Sequence, residues 1–388
     1  MASAGISEQA SAVGGGKWGV LKAERLLLPG LLSGVLFLLF GGRWLADLSN
    51  PWWMLFVFGW LIGAILISAF GVVRHADCLA IKLGEPYGTL ILTLSVIGME
   101  VLMVSAVMLS GKDDPAMARD TMFAVLMIVL NGLLGAALLA GGLRHREQQY
   151  NLQGANSFLA MLVPLAAVGL ILPYYTAGTA TPTLLKVRAA ALMITTMGLY
   201  GTFLAIQTRR HPEHFLEAQG ANLSDEAAEA KEHAHFVIRS LPFHLVMLIF
   251  YLLPVVVLSK KLAVVLEYGV GRIGAPQALS GLIVAILILC PEGVSGIRAA
   301  LGNRLQRSVN LLFGAALSTI ALTVPAVMGI SLGTGRQIEL GLTPVNQILL
   351  FVTLIVSILT CTTGRTNVLN GMIHLVLFAT YLILIFAG

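Results

Sequence analysis

The sequence is poor in charged residues and in cysteines. Lys, Arg, Asp and Glu make up only 11% of its 388 residues, whereas soluble domains carry about a quarter charged residues. The three cysteines, Cys78, Cys290 and Cys361, stand singly, without the spacing of metal ligands or of a disulfide framework. These absences exclude an ordinary soluble domain, and the net charge of +5 is too dispersed to indicate nucleic-acid binding.

Hydrophobic residues dominate instead, at 57% of the chain. They come in runs of about twenty, long enough to cross roughly 30 Å of hydrocarbon as a helix. The alternation with a period of two that marks a membrane β-barrel is absent. The sequence therefore predicts an all-α integral membrane protein.

We predict eleven transmembrane helices from these runs. Their predicted bounds are 26–42, 52–73, 87–110, 119–141, 155–175, 186–206, 241–259, 277–300, 308–330, 345–362 and 367–387. Residues 1–25 lack the apolar centre of a signal peptide and are expected to be a cytoplasmic tail. Placing this tail inside puts fifteen of the 24 Lys and Arg residues on the cytoplasmic side, which predicts a multi-pass bacterial inner-membrane protein with a periplasmic C-terminus.

The long hydrophilic stretch 207–240 divides the chain and is predicted to be a cytoplasmic linker. After it come five predicted helices, so the rest of the chain divides into one extra helix in 26–50 and two five-helix halves, 51–206 and 241–388. An odd number of helices per half gives the halves opposite orientations, as in inverted-repeat transporters. The linker contains the four histidines His211, His214, His233 and His235. A solvated loop is the default interpretation, and regulatory sensing of a cation or of protons is the alternative.

Each half contains one glutamate deep within an apolar helix. Glu100 follows Pro86 by fourteen residues, and Glu292 follows Pro276 by sixteen. A central acidic residue costs roughly 2.5–3.5 kcal/mol on membrane insertion and usually marks an ion pathway. A protonated glutamate with a purely structural hydrogen bond is the alternative for one such residue. Two in matching positions favour a functional pair, and Pro291 predicts a helix bent or broken beside Glu292.

Two facing carboxylates in a membrane suit cation/proton exchange. Desolvation and mutual repulsion disfavour their charged forms, so the pair either holds protons or binds a cation through oxygen. Because these states exclude each other, a site that opens to one side at a time exchanges the two. The leading hypothesis is a secondary antiporter that exports Ca²⁺, Na⁺ or K⁺ in exchange for H⁺. A passive cation channel is the alternative, and no motif indicates an enzyme.

Further oxygen ligands are expected on the neighbouring helices. Asn131 in the fourth helix, with Ser318 and Thr319 in the ninth, are candidates, although such hydroxyls commonly bond their own backbone. Ion-pathway candidates at helix ends are Glu85, Asp77 and Asp120, for which capping or snorkelling is the alternative. His244 and His374, also near helix ends, are expected to be hydrogen-bonded rather than ligating.

Four stretches resemble the bacterial ChaA-type sodium(calcium)/proton antiporters, in the cation/proton exchanger branch of the calcium/cation antiporter superfamily. They are HADCLAIKLGEPYGTLILTLSVIGMEV (75–101), CPEGVSGI (290–297), STIALTVPA (318–326) and GRTNVLNGMIHLVLFATYLILI (364–385). The resemblance implies one extra helix plus two inverted five-helix repeats. It also implies that Glu100 and Glu292 are the essential glutamates of the two repeats, and that Asn131 matches the asparagine that follows in the first.

The sequence departs from the calcium/proton exchangers at several expected oxygen donors. Where those proteins place Gly-Asn before each glutamate, this chain has Val96-Ile97 and Ile288-Leu289. Leu130 replaces a serine, and Thr319 stands where a glutamine is expected. The identity of the transported cation therefore stays open between calcium, sodium and potassium. We expect no cofactor besides the transported ions, and membrane lipid is the expected surrounding; the oligomeric state stays open, a homodimer included.

Overall fold

The structure of the protein, a computed structural model, describes residues 24–84, 87–109, 115–176, 182–215, 238–335 and 338–387. Glu85, His233 and His235 lie outside these residues. Within the described part of the chain, nine helices are long and apolar enough to cross a membrane, and two apolar helices are shorter. The predicted all-α membrane fold is therefore confirmed, while the count of eleven membrane crossings stays a prediction.

The helices follow the predicted segments in order. They are α1 (Leu27–Leu39), α2 (Pro51–Leu83), α3 (Tyr87–Met108), α4 (Met117–His145), α5 (Leu152–Thr176), α6 (Pro182–Ala205, continued by Ile206–Arg210), α7 (Leu241–Arg272), α8 (Ala278–Leu301), α9 (Leu305–Thr334), α10 (Pro344–Thr360) and α11 (Val368–Ala387). A short helical turn, Gly41–Trp44, follows α1. Strands β1 (Gln148–Gln149) and β2 (Arg365–Thr366) pair antiparallel, with Gln148 opposite Thr366.

Helix ends follow local sequence signals. The side chain of Asn50 accepts hydrogen bonds from the main-chain N–H groups of Trp52 and Trp53, and Pro51 occupies the first helical position of α2. An asparagine cap and a proline that lacks a donor both suit a helix start. Gly84, with φ of 65°, ends the same helix in a left-handed conformation that glycine adopts at little cost.

Two predicted bounds were wrong by about ten residues. Helix α2 has 33 residues and α7 has 32, so each extends about 50 Å. The prediction ended both where charged residues begin, at Arg74 and Lys260. Charge lowers hydropathy but does not end a helix, so both helices continue past the apolar run. The two helices also pack against each other. A Cβ atom at Gly71 would overlap the ring of Tyr251, which shows how closely they approach.

Four helices form the centre of the protein: α3, α4, α8 and α9. Residues 121–131 of α4 are buried without interruption, as expected for a helix that is surrounded by other helices. Peripheral helices instead expose large apolar side chains, such as Leu39 and Ile194. The two glutamates lie on central helices, Glu100 in α3 and Glu292 in α8.

The backbone irregularity near the glutamates lies elsewhere than predicted. Helix α8 runs without a break through Pro291, so the predicted break beside Glu292 was wrong, while a bend at that position stays a prediction. The adjacent helices instead contain π-helical segments, Ile128–Leu133 in α4 and Thr319–Thr323 in α9. Such segments are rare and concentrate at functional sites.

Candidate functional site

Glu100 is held by two threonines of the opposite half of the chain. The Thr319 hydroxyl donates to Oε2 of Glu100 over 2.9 Å, and the Thr323 hydroxyl donates to Oε1 over 3.1 Å. Both threonines belong to the π-helical segment of α9, and the glutamate is only 4% exposed. Because hydroxyl hydrogens point at both oxygens, the pocket can hold Glu100 in its ionised form.

The Thr319 hydroxyl has a second acceptor. Its Oγ1 also lies 2.9 Å from the main-chain oxygen of Ala315, one turn earlier in α9. A hydroxyl carries one hydrogen and can donate to only one of these acceptors at a time. When Glu100 is protonated, its own hydrogen can go to Thr319, which then donates to Ala315. The site therefore satisfies both protonation states of Glu100 without moving the backbone.

Glu292 lies within electrostatic range of Glu100, so the two carboxylates repel each other whenever both are ionised. It is 8% exposed. The next residue, Gly293, packs against Leu133 in the π-helical segment of α4, where a Cβ atom would come within 2.7 Å of the leucine side chain. Each glutamate helix thus crosses the π-helical segment of the other half.

The second π-helical segment aligns with residues 127–131, which begin one residue before the first, and two of the five positions are identical. Residues 127–131 read Met-Ile-Val-Leu-Asn, and residues 319–323 read Thr-Ile-Ala-Leu-Thr. In this register Asn131 corresponds to Thr323, and Met127 corresponds to Thr319. Where α9 has two threonine hydroxyls, α4 therefore has the amide of Asn131 and the thioether of Met127. The predictions did not include Thr323, although its spacing of four residues from Thr319 could have indicated it.

The hydrogen bonds of the Asn131 side chain go to neither glutamate. Its side-chain nitrogen donates to the Thr353 hydroxyl over 2.8 Å, and its oxygen lies 3.3 Å from Nδ1 of His374. Nε2 of His374 lies 3.1 Å from the Thr360 hydroxyl. All four side chains are buried, so they form a polar cluster that joins α4 to α10 and α11. A role for Asn131 as a cation ligand stays a prediction that requires its side chain to leave this cluster.

The other predicted site residues have varied surroundings. Ser318 is buried and donates to the main-chain oxygen of Ala315 over 3.0 Å. Asp120 forms an ion pair of 2.8 Å with Arg119, and Asp77 lies within electrostatic range of Cys78 in α2. Tyr200 in α6, which the predictions did not include, lies within electrostatic range of Glu100. The site that the structure assembles therefore consists of Glu100, Glu292, Thr319 and Thr323.

A possible metal cluster in the linker has unsuitable geometry. His211, Glu213 and His214 bring three ligand atoms within 4.8 Å of one another. The two imidazole rings, however, are stacked at 4.9 Å with an angle of 8° between their planes. A metal ion must lie near the plane of each imidazole that binds it, and two parallel stacked planes do not meet. This arrangement does not hold an ion without rotation of a ring.

Comparisons with known proteins agree with this geometry. Residues 53–209 and 243–387 match the sodium/calcium exchanger protein family. The sodium-potassium/proton antiporter ChaA of Escherichia coli (strain K12) is 41% identical over 369 residues, which cover 94% of this chain and 97% of the relative.

Two solved structures share the fold. The structure of native YfkE has a TM-score of 0.72 at 17% identity and covers 94% of this chain and 100% of its own. The structure of the H⁺/Ca²⁺ exchanger CAX has a TM-score of 0.60 at 14% identity and covers 95% and 88%. The prediction of an exchanger rather than a channel is confirmed, because the chain belongs to the sodium/calcium exchanger protein family.

Proposed function

We propose that this protein is a secondary cation/proton antiporter in which Glu100 and Glu292 form one exchange site. The observation that carries the proposal is the position of the two carboxylates, which are buried in different halves of the chain and lie within electrostatic range of each other. Two ionised carboxylates in such a place require compensation. Either protons or a cation can supply it, and each excludes the other.

The proton-loaded state uses the two acceptors of Thr319. With Glu100 protonated, the carboxylic acid donates to the Thr319 hydroxyl, and that hydroxyl donates to the main-chain oxygen of Ala315. Glu292 takes up its own proton, which removes the repulsion between the pair. Every hydrogen of this chain of contacts then has an acceptor, so the neutral site is stable in a low-dielectric surrounding.

The cation-loaded state uses the same oxygens. The Thr319 and Thr323 hydroxyls donate to ionised Glu100 while their lone pairs stay available to a cation. The ion then lies between Glu100 and Glu292. A divalent ion compensates both charges, whereas Na⁺ or K⁺ compensates the charge of Glu100 while Glu292 keeps its proton. Because the cation and the protons compete for the same two carboxylates, release of one on either side of the membrane permits uptake of the other.

We propose Na⁺ or K⁺ as the preferred cation. Calcium takes six to eight oxygen ligands, and the α4 side of the site is poor in oxygen. Asn131 donates to Thr353 and meets His374, and a methionine, Met127, occupies the position that corresponds to Thr319. The 41% identity to a sodium-potassium/proton antiporter supports the same choice.

The two halves, 51–206 and 241–388, are proposed to be inverted repeats, preceded by the extra helix in 26–50. The family match in two blocks, 53–209 and 243–387, supports this division, as do the matching π-helical segments. The N-terminus and the linker 207–240 are proposed to face the cytoplasm and the C-terminus the periplasm, since most Lys and Arg residues then lie inside.

Everted membrane vesicles test the exchange. An inward-acid pH gradient is imposed, Na⁺, K⁺ and Ca²⁺ are added in turn, and a fluorescent pH reporter is followed. We expect Na⁺ or K⁺ to collapse the gradient in vesicles that contain the protein, and Glu292→Gln to remove this response. A response to Ca²⁺ alone would overturn the proposed ion preference, and no response to any of the three would overturn antiport by this site.

A further inference from the structure

A second cluster of buried ionisable groups lies where α2 and α7 pack together. It shares no residue with the glutamate site. Glu24 precedes α1, Arg74 and His75 lie in α2, and His244 and Tyr251 lie in α7. His75 and His244 are each 1% exposed. When two buried histidines are in contact, the gain or loss of one proton changes the hydrogen bonds that they make.

The main chain fixes the tautomer of His244. The N–H group of Arg239 donates to Nε2 of His244 over 2.9 Å, and a main-chain N–H can only donate. Nε2 therefore carries no hydrogen, and neutral His244 must carry its hydrogen on Nδ1. That nitrogen lies 2.9 Å from Nδ1 of His75, so the His75 atom accepts.

The same logic fixes His75. Because its Nδ1 accepts, neutral His75 carries its hydrogen on Nε2. This nitrogen lies 3.2 Å from Oε2 of Glu24, which accepts its hydrogen. It also lies 3.1 Å from the Arg74 guanidinium, which can only donate and therefore makes no hydrogen bond to a protonated Nε2. If Nδ1 of His75 donated to Nδ1 of His244 instead, His244 would carry no hydrogen on either nitrogen. One continuous chain of donors thus runs from the Arg239 main chain through His244 and His75 to Glu24.

Glu24 is the common acceptor at the end of this chain. Its Oε2 also accepts from the Arg74 guanidinium and, over 3.1 Å, from the Tyr251 hydroxyl. Burial raises the pKa of Glu24, but the hydrogen bond from His75 and the charge of Arg74 outweigh it and lower the pKa below 4.5. The carboxylate is therefore ionised at physiological pH and can stabilise a positive charge on His75.

An additional proton cannot enter the chain without breaking a contact. Both free positions, Nδ1 of His75 and Nε2 of His244, already accept a hydrogen bond. A proton on His75 would set two N–H groups against each other across 2.9 Å. If His244 then shifted its hydrogen to Nε2, it would face the N–H of Arg239 instead.

We propose that His75 and His244 together form a proton-binding site that is distinct from the glutamate pair. Uptake of one proton breaks either the His75–His244 hydrogen bond between α2 and α7 or the hydrogen bond from the Arg239 main chain to His244. Arg239 lies at the end of the linker, directly before α7, and Lys82 of α2 donates to its main-chain oxygen over 2.7 Å. Proton uptake therefore changes hydrogen bonds at the junction between the linker and α7, the first helix of the second half. The effect on transport rests on the proposed antiport, whereas proton uptake by the pair does not.

The charged and titratable groups around the pair come from every element that surrounds it. They are Glu24 before α1, Arg74, Asp77, Cys78 and Lys82 in α2, Arg239 before α7, and Tyr251 in α7. Replacing one of the two histidines leaves this surrounding in place. Changes in proton uptake can then be assigned to the pair itself.

Imidazole ¹⁵N NMR on the purified full-length protein tests proton binding directly. At neutral pH we expect His244 with its hydrogen on Nδ1 and His75 with its hydrogen on Nε2, and on acidification we expect both signals to change together as the pair takes up one proton. Signals are assigned with two variants that preserve one nitrogen position each without titrating, His75→Asn and His244→Gln. Independent titration of the two histidines, or the opposite tautomers, would overturn the proposal.

The pH profile of exchange in everted vesicles tests the consequence. We expect an inflection in the wild-type profile that is lost in both His75→Asn and His244→Gln. His145→Gln is the matched control, because His145 meets the main-chain oxygen of Leu301 outside the cluster, and it should keep the inflection. An unchanged profile in both cluster variants would overturn the regulatory consequence. Absence of exchange in the wild type would count against the proposed function alone, since the NMR result stands without it.

Discussion

Thr319 in α9 donates a 2.9 Å hydrogen bond to Glu100 in α3, and so joins the two halves of the chain at the candidate exchange site. The contact depends on the π-helical segment that contains both Thr319 and Thr323. The opposite half of the chain therefore supplies the hydrogen-bond partners of Glu100, whether the carboxyl group is ionised or protonated. This dependence gives the glutamates and the threonines separate, testable roles.

Replacing either glutamate should abolish exchange. Glu100→Gln and Glu292→Gln keep the shape of the side chain but can neither release a proton nor neutralise a cation. We expect exchange in everted vesicles to fall to the level of membranes without the protein, with normal amounts of folded protein. Glu147→Gln is the control, since the Glu147 side chain is 61% exposed and its ion pair is with Arg365. Near-normal exchange in both glutamate variants would exclude the proposed site.

Removing the Thr319 hydroxyl should weaken cation binding without unfolding the protein. Thr319→Val preserves the shape and leaves one oxygen of buried Glu100 without its donor, which costs about 1–3 kcal/mol. We expect the cation concentration for half-maximal exchange to rise by roughly 5- to 150-fold, and Thr319→Ser to restore most of the loss.

The matched control is Thr380→Val, which removes a hydroxyl that bonds only its own helix at Val376. If Thr319→Val and Thr380→Val had the same half-maximal concentration as the wild type, Thr319 would not belong to the cation site.

Close packing at Gly293 gives a prediction about α8 and α4. In Gly293→Ala the new Cβ atom would overlap the side chain of Leu133, and such overpacking costs about 1–3 kcal/mol. We expect a lower unfolding temperature and slower exchange, and we expect Leu133→Ala in the same chain to restore part of both. Gly198→Ala, at a position with open space around it, should change neither. A neutral Gly293→Ala would show that the two helices separate easily.

The cluster around Asn131 should affect stability more than ion affinity. Asn131→Leu removes the amide donor of the Thr353 hydroxyl and one of the partners of the His374 ring, and a buried polar group left unsatisfied costs about 1–3 kcal/mol. We expect a lower unfolding temperature, measured in detergent, and an unchanged half-maximal cation concentration for the protein that remains folded. A large rise in that concentration at an unchanged unfolding temperature would instead assign Asn131 to the cation site.

The sequence predicted the helices, the burial of the two glutamates and the exchanger class, because each depends on composition or on isolated residues in an apolar surrounding. It did not predict the extent of α2 and α7, since hydropathy falls at Arg74 and Lys260 while the helix continues. The direction of the Asn131 side chain could not be predicted either, because a π-helical segment rotates every side chain that follows it. The His75–His244 contact joins residues 169 positions apart, and a single sequence carries no signal for such a pair.

The ionised state of Glu24 gives a prediction about pH and stability. Its pKa is lowered on folding, so the stabilisation that it provides is present above the unfolded value of 4.5 and is lost as the pH falls through the lower folded value. Glu24→Gln removes the charge that accepts from Arg74 and His75, and hydrogen bonds to charged groups contribute about 1.5–3 kcal/mol. We therefore expect the variant to unfold several degrees below the wild type at pH 7. The gap should close towards pH 4 and below, as the wild-type carboxylate becomes protonated. Thermal unfolding of both proteins across this range measures the gap, and a difference that is constant with pH would mean that the role of Glu24 is packing rather than charge.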